Sequence, residues 1–192
     1  MIKVTLPDGS IKEFESNSTP FDVARSISEG LARNIISASY NGTTVETTSP
    51  LTSDGALILY TFNDDEGKKA FWHSSAHVLA ETILEFYPEA KLTIGPAIEN
   101  GFYYDLDLGE DTISEKDFQQ IEKKFLELAR GKHQFKMRSV SKADALSMYI
   151  KEDNSYKVEL IEGLTDGDIT FCDHNNFTDL CRGGHIPNTG II

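Results

Sequence analysis

Two histidines four residues apart are the first feature of the sequence that could do chemistry. His73 and His77 lie in residues 69–87, which the apolar spacing predicts to be a helix ended by Pro88. Residues four apart share one face of a helix, with Cβ atoms about 5–6 Å apart. The apolar positions cluster on the opposite side, so we expect the two imidazoles to act as a pair facing solvent, a cleft or a second layer.

A second reactive group lies near the end of the sequence, in the segment DLCRGGH at residues 179–185. Cys181 and His185 are also four residues apart, but the two glycines between them favour a loop. Glycine lets the backbone turn sharply and approach a ligand closely. We therefore expect Asp179, Cys181 and His185 to converge on one point.

Two kinds of site fit these residues. A thiol and three imidazoles, from His73, His77, Cys181 and His185, have the composition of a closed tetrahedral zinc site. The other interpretation is hydrolysis of an ester by imidazoles, a lysine and a thiol, because imidazole titrates near neutral pH. Histidine pairs at helical spacing are also common on ordinary surfaces, so the spacing alone leaves both interpretations open.

The elements of the first third of the chain predict a β-grasp. They are a hairpin over residues 2–15 with its turn at Asp8-Gly9, a helix over residues 22–31, and strands over residues 35–40, 43–47 and 56–62. The polar stretch at residues 63–69 follows. We therefore predict a domain over residues 1–62 and a second domain over residues 63–192.

The second domain is predicted to be an α+β layer structure. Further helices are expected over residues 114–129 and from residue 141 or 142 to 150, and strands over residues 92–98, 101–106, 156–161 and 169–180. In the first of these helices, Phe118, Ile121, Phe125 and Leu128 form an apolar stripe that we expect to be core.

Composition limits the partners and the compartment. The formal net charge of -13 argues against autonomous tight binding of nucleic acid, because phosphate contacts need clustered Lys and Arg. No apolar stretch suggests a signal peptide or a membrane span. With only Cys172 and Cys181 present, no disulfide framework is implied, and a reducing cytoplasm is the expected location.

Four motifs resemble the editing domain of bacterial threonyl-tRNA synthetases and follow one another in the same order as in that family. Two of them are the helical HxxxH at residues 73–77 and the CxxxH loop at residues 181–185. The others are IGPAIENGFYYD at residues 94–105 and SYKVEL at residues 155–160. Residues 1–62 are similar to that family's TGS domain, a ubiquitin-like β-grasp, so the resemblance covers the whole chain. Gly184 departs from the family's more usual proline, which we expect to loosen the loop that presents His185.

The resemblance implies removal of serine wrongly esterified to the 3′ end of the tRNA for threonine. A missing methyl group discriminates by only about 1–3 kcal/mol, so a second, hydrolytic sieve is needed. Carried over by motif, the catalytic residues are His73, Lys157 and His185, and the substrate-binding residues are His77, Tyr104, Asp179 and Cys181. His73 and His185 would position or deprotonate water and orient the ribose, and Lys157 would stabilise the oxyanion.

The resemblance also sets expectations for cofactors and partners. The threonyl family is generally zinc-free at this site, whereas alanyl-tRNA synthetase editing domains bind zinc at the same layout. We therefore expect no cofactor in this fragment, with the same His₃Cys set as ligands if a metal is present. No segment resembles a synthetase core, so we expect a truncated, monomeric fragment. ATP, magnesium and zinc would belong to the missing core, through which the whole enzyme dimerises.

A competing function is a non-catalytic, zinc-stabilised module that binds RNA or a protein partner, with a β-grasp attached. A free-standing β-grasp regulator leaves residues 68–192 unexplained. Nothing in the sequence connects Cys172, His133 or His174 with the reactive groups, so we expect these three to be ordinary structural residues.

Overall fold

The computed structural model describes all 192 residues and divides them into two compact units. The first comprises Met1–Phe71 with Gly183–Pro187, and the second comprises Trp72–Arg182 with Asn188–Ile192. The domain boundary between residues 62 and 63 remains a sequence prediction. No helix has both the length and the apolar composition required to cross a bilayer.

The first unit is a β-grasp, as the sequence predicts. Its elements are β1 (Ile2–Thr5), β2 (Ile11–Phe14), α1 (Pro20–Ile27), α2 (Glu29–Asn34), β3 (Ile35–Tyr40), β4 (Thr43–Val45) and β5 (Gly55–Thr61). The sheet order is β2-β1-β5-β3-β4, with β1 parallel to β5 and the other pairs antiparallel. Alternate residues of β1, Ile2 and Val4, enter a core that also contains Val23 and Leu57.

The helical segment predicted over residues 22–31 is two helices rather than one. Thr19 and Asp22 form a capping box at the start of α1, with Pro20 in its first turn. Ser28 ends that helix in an extended conformation and its side chain then accepts from the Leu31 N–H as the N-cap of α2. A serine with its hydroxyl free to cap favours such a break over a continuous helix.

The second unit contains most of the helical structure. Its elements are α3 (Asp65–Phe86), β6 (Lys91–Leu92), β7 (Ala97–Ile98), β8 (Gly101–Phe102), β9 (Leu106–Asp107), α4 (Glu115–Arg130), β10 (Lys136–Ser139), α5 (Lys142–Lys151), α6 (Ser155–Glu162), β11 (Thr170–His174), β12 (Phe177–Leu180) and a 3₁₀ turn, Thr189–Ile191. Helix α3 begins in the first unit and continues into the second. The main sheet has the order β10-β11-β12, and β6-β9 and β7-β8 form two small antiparallel pairs.

Several predicted strands differ from the structure. Residues 156–161 are helical, in α6, because Asn154 caps that segment and Val158 and Ile161 pack at helical spacing. Residues 169–180 form a hairpin, β11 and β12, whose turn holds Asn175 at a φ of 46°. The strands predicted over residues 92–98 and 101–106 are reduced to two-residue pairs.

Two helix predictions also need correction. Helix α3 begins at Asp65, so part of the polar stretch predicted as a linker is its first turn. At the start of α4 the Asp117 carboxylate accepts from the Ser114 N–H at 2.8 Å. Ile121 and Leu128 of this helix are buried, but Phe118 is 52% exposed. The apolar stripe of α4 is therefore buried only from the second turn of the helix onward.

Candidate functional site

Helix α3 and the end of β12 bring two imidazoles and a thiol together in the second unit. His73 Nε2 lies 3.2 Å from His77 Nε2, as expected for residues one helical turn apart. Cys181, the residue after β12, places its Sγ 3.3 Å from His73 Nε2. His77 and Cys181 are buried, and His73 is partly exposed. The three side chains therefore form a compact group with one member open to solvent.

This group is a candidate metal-binding group. The ligand atoms of His73, His77 and Cys181 lie within 4.8 Å of one another. Zinc binds imidazole nitrogens at about 2.0–2.1 Å, which places two nitrogens of one tetrahedral site roughly 3.3 Å apart. The observed separation of 3.2 Å fits such a site, and it equally fits a direct hydrogen bond between the rings. The donor types and spacing therefore suit zinc.

Asp179 is the centre of a buried polar network beside this group. Lys157 Nζ lies 2.6 Å from Asp179 Oδ1, and both side chains are almost completely buried. The Tyr104 hydroxyl donates to Asp179 Oδ2 at 2.8 Å, and His77 Nδ1 lies 3.6 Å from the same oxygen. Burying a carboxylate requires such partners. The network therefore holds a lysine, a phenol and an imidazole around one carboxylate.

The two tyrosines of the network act as hydrogen-bond donors. Burial raises the pKa of Tyr104 well above its usual value, and the negative charge of Asp179 adds to the rise. The same two causes raise the pKa of Tyr149. The Tyr149 hydroxyl lies 3.5 Å from Asp179 Oδ1 and accepts from the Leu180 N–H at 2.9 Å. Both phenols stay protonated, so each can donate to Asp179.

The start of α6 positions Lys157. Asn154 accepts from the Lys157 N–H through its side-chain oxygen at 3.1 Å and donates through its Nδ2 to the Leu92 carbonyl at 3.0 Å. One buried amide thus caps the helix and connects it to β6. The backbone of Lys157 is therefore fixed by the helix cap, and its ammonium group is fixed by Asp179.

His185 belongs to the first unit, where it is fully buried against Glu46. Its Nδ1 lies 3.1 Å from Glu46 Oε1, and its backbone N–H donates to Glu46 Oε2 at 3.0 Å. The Gly184 N–H also donates to Glu46 at 3.0 Å. Gly184 has a φ of 87°, which proline cannot adopt, and proline lacks that N–H. Glycine here therefore permits a loop tied to one carboxylate.

Comparison with known proteins agrees with these observations. The TGS domain family matches residues 2–61. Over all 192 residues, the chain is 68% identical to a threonine–tRNA ligase of Flavobacterium johnsoniae, 66% to that of Flavobacterium psychrophilum and 53% to that of Cytophaga hutchinsonii. Along its whole length the chain is similar to threonine–tRNA ligases. It covers 29% of the first two relatives and 30% of the third, and corresponds to their N-terminal region.

The synthetase resemblance and the β-grasp fold predicted from the sequence are therefore confirmed, while the roles of individual residues stay predictions. The sequence did not indicate a role for Tyr149, Asn154 or Glu46. An N-cap signal marks Asn154 in the sequence, but no local pattern connects Tyr149 or Glu46 with the site. A cavity of about 640 Å³ reaches the network at Tyr149 and Asp179 without touching the histidine pair.

Proposed function

We propose that residues 63–192 form an editing domain that hydrolyses the ester between serine and the 3′ end of the tRNA for threonine. The full-length ligase would attach threonine to that tRNA with ATP, as a step of protein biosynthesis. The observation that carries the proposal is the buried Lys157–Asp179 pair beside the His73–His77–Cys181 group. A non-catalytic fold has little reason to bury so many ionisable groups together.

The proposed reaction is attack of water on the ester carbonyl. His73 is the partly exposed imidazole, so it is the one that can meet water and accept its proton. Negative charge then develops on the carbonyl oxygen, and the ammonium of Lys157 would stabilise it. The bond to the ribose oxygen breaks, the proton passes to that oxygen, and free serine and tRNA result.

The other predicted residues receive supporting roles. Tyr104 and Asp179 would recognise the serine ammonium or hydroxyl, because Asp179 carries negative charge and Tyr104 is held against it. His77 and Cys181 would shape the site around His73. We propose that His185 orients the ribose, because it lies four residues after Cys181 in the CxxxH motif.

The first test is deacylation of seryl-tRNA and threonyl-tRNA by this chain. We expect faster hydrolysis of the seryl ester, and a loss of at least about 10²-fold on His73→Ala and on Lys157→Ala. Lys123→Ala, at an exposed lysine outside the site, is the matched control and should retain the rate. Equal rates for the two esters, or full activity in both site variants, would remove the editing proposal.

A second candidate function is the zinc-stabilised binding module for RNA or a protein partner. The observation that supports it is that the ligand atoms of His73, His77 and Cys181 lie close enough together to hold one zinc ion. Metal analysis of the purified chain separates the two candidates. Stoichiometric zinc whose removal unfolds the second unit would support the binding module, whereas seryl-tRNA hydrolysis by metal-free protein would support editing without a cofactor.

For the editing function the partner is proposed to be tRNA, with most of its affinity supplied outside this chain. The net charge of -13 provides no basic platform for phosphates. We further propose that the fragment is monomeric, that the full-length enzyme is a cytoplasmic homodimer, and that ATP, magnesium and zinc bind its catalytic core. Filter binding of tRNA by the chain and by a full-length relative, each over a salt series, tests the division of affinity.

A further inference from the structure

Helix α3 carries a third ionisable residue on the face that presents the histidine pair. Glu81 follows His77 by four residues, so it continues the row that starts at His73. Glu81 is only 6% exposed, and His174 of β11 is 2% exposed. His174 Nε2 lies 3.1 Å from Glu81 Oε2, a close polar contact without the alignment of a hydrogen bond. A buried acid and imidazole therefore lie one turn beyond His77.

The hairpin of β11 and β12 holds this pair in place. Asn175, in the hairpin turn, donates its side-chain N–H to Glu81 Oε1 at 2.6 Å. Burial alone would raise the pKa of Glu81, but contacts with His174 and Asn175 outweigh it and leave the pKa below its usual value. The carboxylate is thus charged and held by two partners from one hairpin.

The ring of His174 connects Glu81 with His77. Its centroid lies 6.3 Å from that of His77 with an interplanar angle of 70°, an edge-to-face contact. Phe177 contacts both imidazoles, with ring centroids 5.2 Å from His174 and 6.2 Å from His77, and the centroid of Phe135 lies 4.9 Å from that of His174. His77 therefore rests against a wall of rings whose polar member is fixed by Glu81.

We propose that Glu81 and His174 are positioning residues for His77, and through it for His73. The inference rests on the proposed editing function. His77 must keep Nε2 at His73 and Nδ1 toward Asp179, and rotation of its ring would lose both contacts. Edge-to-face packing from His174 and the tilted ring of Phe177 oppose that rotation. Glu81 in turn fixes the orientation of the His174 ring, which an isolated imidazole among phenylalanines would not keep.

A purely structural role for the pair makes a different prediction. Replacing a buried ion pair by apolar residues of similar size is often neutral or stabilising. The double variant Glu81→Leu with His174→Phe would then fold and retain full activity. A positioning role predicts that the same protein folds but hydrolyses seryl-tRNA about 10-fold more slowly, as is typical when groups that orient a reactive side chain are removed.

The experiment measures deacylation kinetics and thermal unfolding of this chain with Glu81→Gln, with the apolar double variant just described, and with Glu85→Gln as a control. Glu85 is an exposed glutamate one turn further along α3. We expect kcat to fall about 10-fold in the first two with little change in KM, and to stay unchanged in the control. Should the double variant fail to fold, Glu81→Gln, which preserves size and shape, gives the result alone.

A double-mutant cycle distinguishes positioning from general destabilisation. In a His77→Ala background the Glu81 and His174 changes should have no further effect on kcat, because the ring that they orient is absent. Undiminished effects in that background, or full activity of the folded variants, overturn the inference. Imidazole ¹⁵N spectra of His77 provide a readout independent of activity: the wild-type signal should move in the variants. If the wild-type chain is inactive, the editing proposal fails, while the spectra still test the positioning.

Discussion

Tyr104 lies so close to Gly95 that any side chain at residue 95 must displace it. A Cβ built on Gly95 would lie 2.3 Å from Tyr104 Cδ2, 2.5 Å from Cε2 and 3.1 Å from Cγ. Contacts of this kind are normally 3.4 Å or longer. The ring of Tyr104 packs on the apolar cluster of Ala80, Leu92 and Phe177, which limits its freedom to move aside. Gly95→Ala therefore tests how firmly the phenol is held.

The size of the effect follows from the distances. Restoring a 3.4 Å contact requires a shift of about 1.1 Å, and the Tyr104 hydroxyl is now 2.8 Å from Asp179 Oδ2. A shift of that size removes a hydrogen bond to a charged group, worth about 1.5–3 kcal/mol. Gly95 has no positive φ, so alanine also gains roughly 0.4–1 kcal/mol by restricting the unfolded chain. We expect a net destabilisation of about 1–2 kcal/mol.

Urea unfolding of Gly95→Ala, alone and combined with Tyr104→Ala, provides the assay. Without the ring the three nearest contacts of the new methyl group are gone, so Gly95→Ala should then be neutral or slightly stabilising. Gly163→Ala is the control, because its Cβ would meet only the Leu160 carbonyl at 3.5 Å. Equal destabilisation with and without the Tyr104 ring would refute the reasoning, as would full stability of the single variant. Deacylation of seryl-tRNA should fall in parallel with the lost hydrogen bond.

Two further changes test other parts of the second unit. The pKa of Glu81 lies below its ordinary value of 4.5 in the folded protein, so its stabilising contribution is complete above that pH and is lost as the pH falls. As the pH falls below about 4.5, the free energy of unfolding should therefore decrease less in Glu81→Gln than in the wild-type chain. Urea titration at several pH values measures this, and Glu85→Gln should behave like the wild type. Asn154→Ala removes the N-cap of α6 and the link to the Leu92 carbonyl, and should destabilise by about 1–2 kcal/mol. Asn154→Asp, which retains the cap acceptor, should recover part of that loss, and equal losses in both variants would argue against capping.

Local signals in the sequence explain which elements could be predicted. Ser114 followed three residues later by Asp117 marks the start of α4, and Asp8-Gly9 marks the turn of the first hairpin. The segment SYKVEL is short and contains residues that favour strands, so the sequence predicts a strand where the structure has helix α6. Its helical state depends on the cap by Asn154 and on packing of Ile161 against α5 and β11, which are not local.

The site divides in the same way. His73 and His77 are paired by helical spacing alone, so the sequence was sufficient to bring them together. Lys157 and Asp179 are separated by 22 residues, and Glu81 and His174 by 93, so only the folded chain brings each pair into contact. The row of His73, His77 and Glu81 was visible as a spacing, but Glu81 gave no sign of its partner. Pairings between distant elements carry no periodic pattern in the sequence.

The polar face of α3 shows why stability and the proposed activity are connected in this unit. Most buried positions of a helix are apolar, yet His77 and Glu81 are both buried on one face. Each is compensated by a partner from β11 or β12, His77 by Asp179 and Glu81 by His174. Removing His174 would leave Glu81 with Asn175 as its remaining partner, and removing one partner of a buried charged pair is generally more damaging than replacing both. The hairpin of β11 and β12 is therefore the element on which the orientation of the imidazoles depends. Paired substitutions in α3 and this hairpin should therefore preserve the fold but slow the hydrolysis of seryl-tRNA.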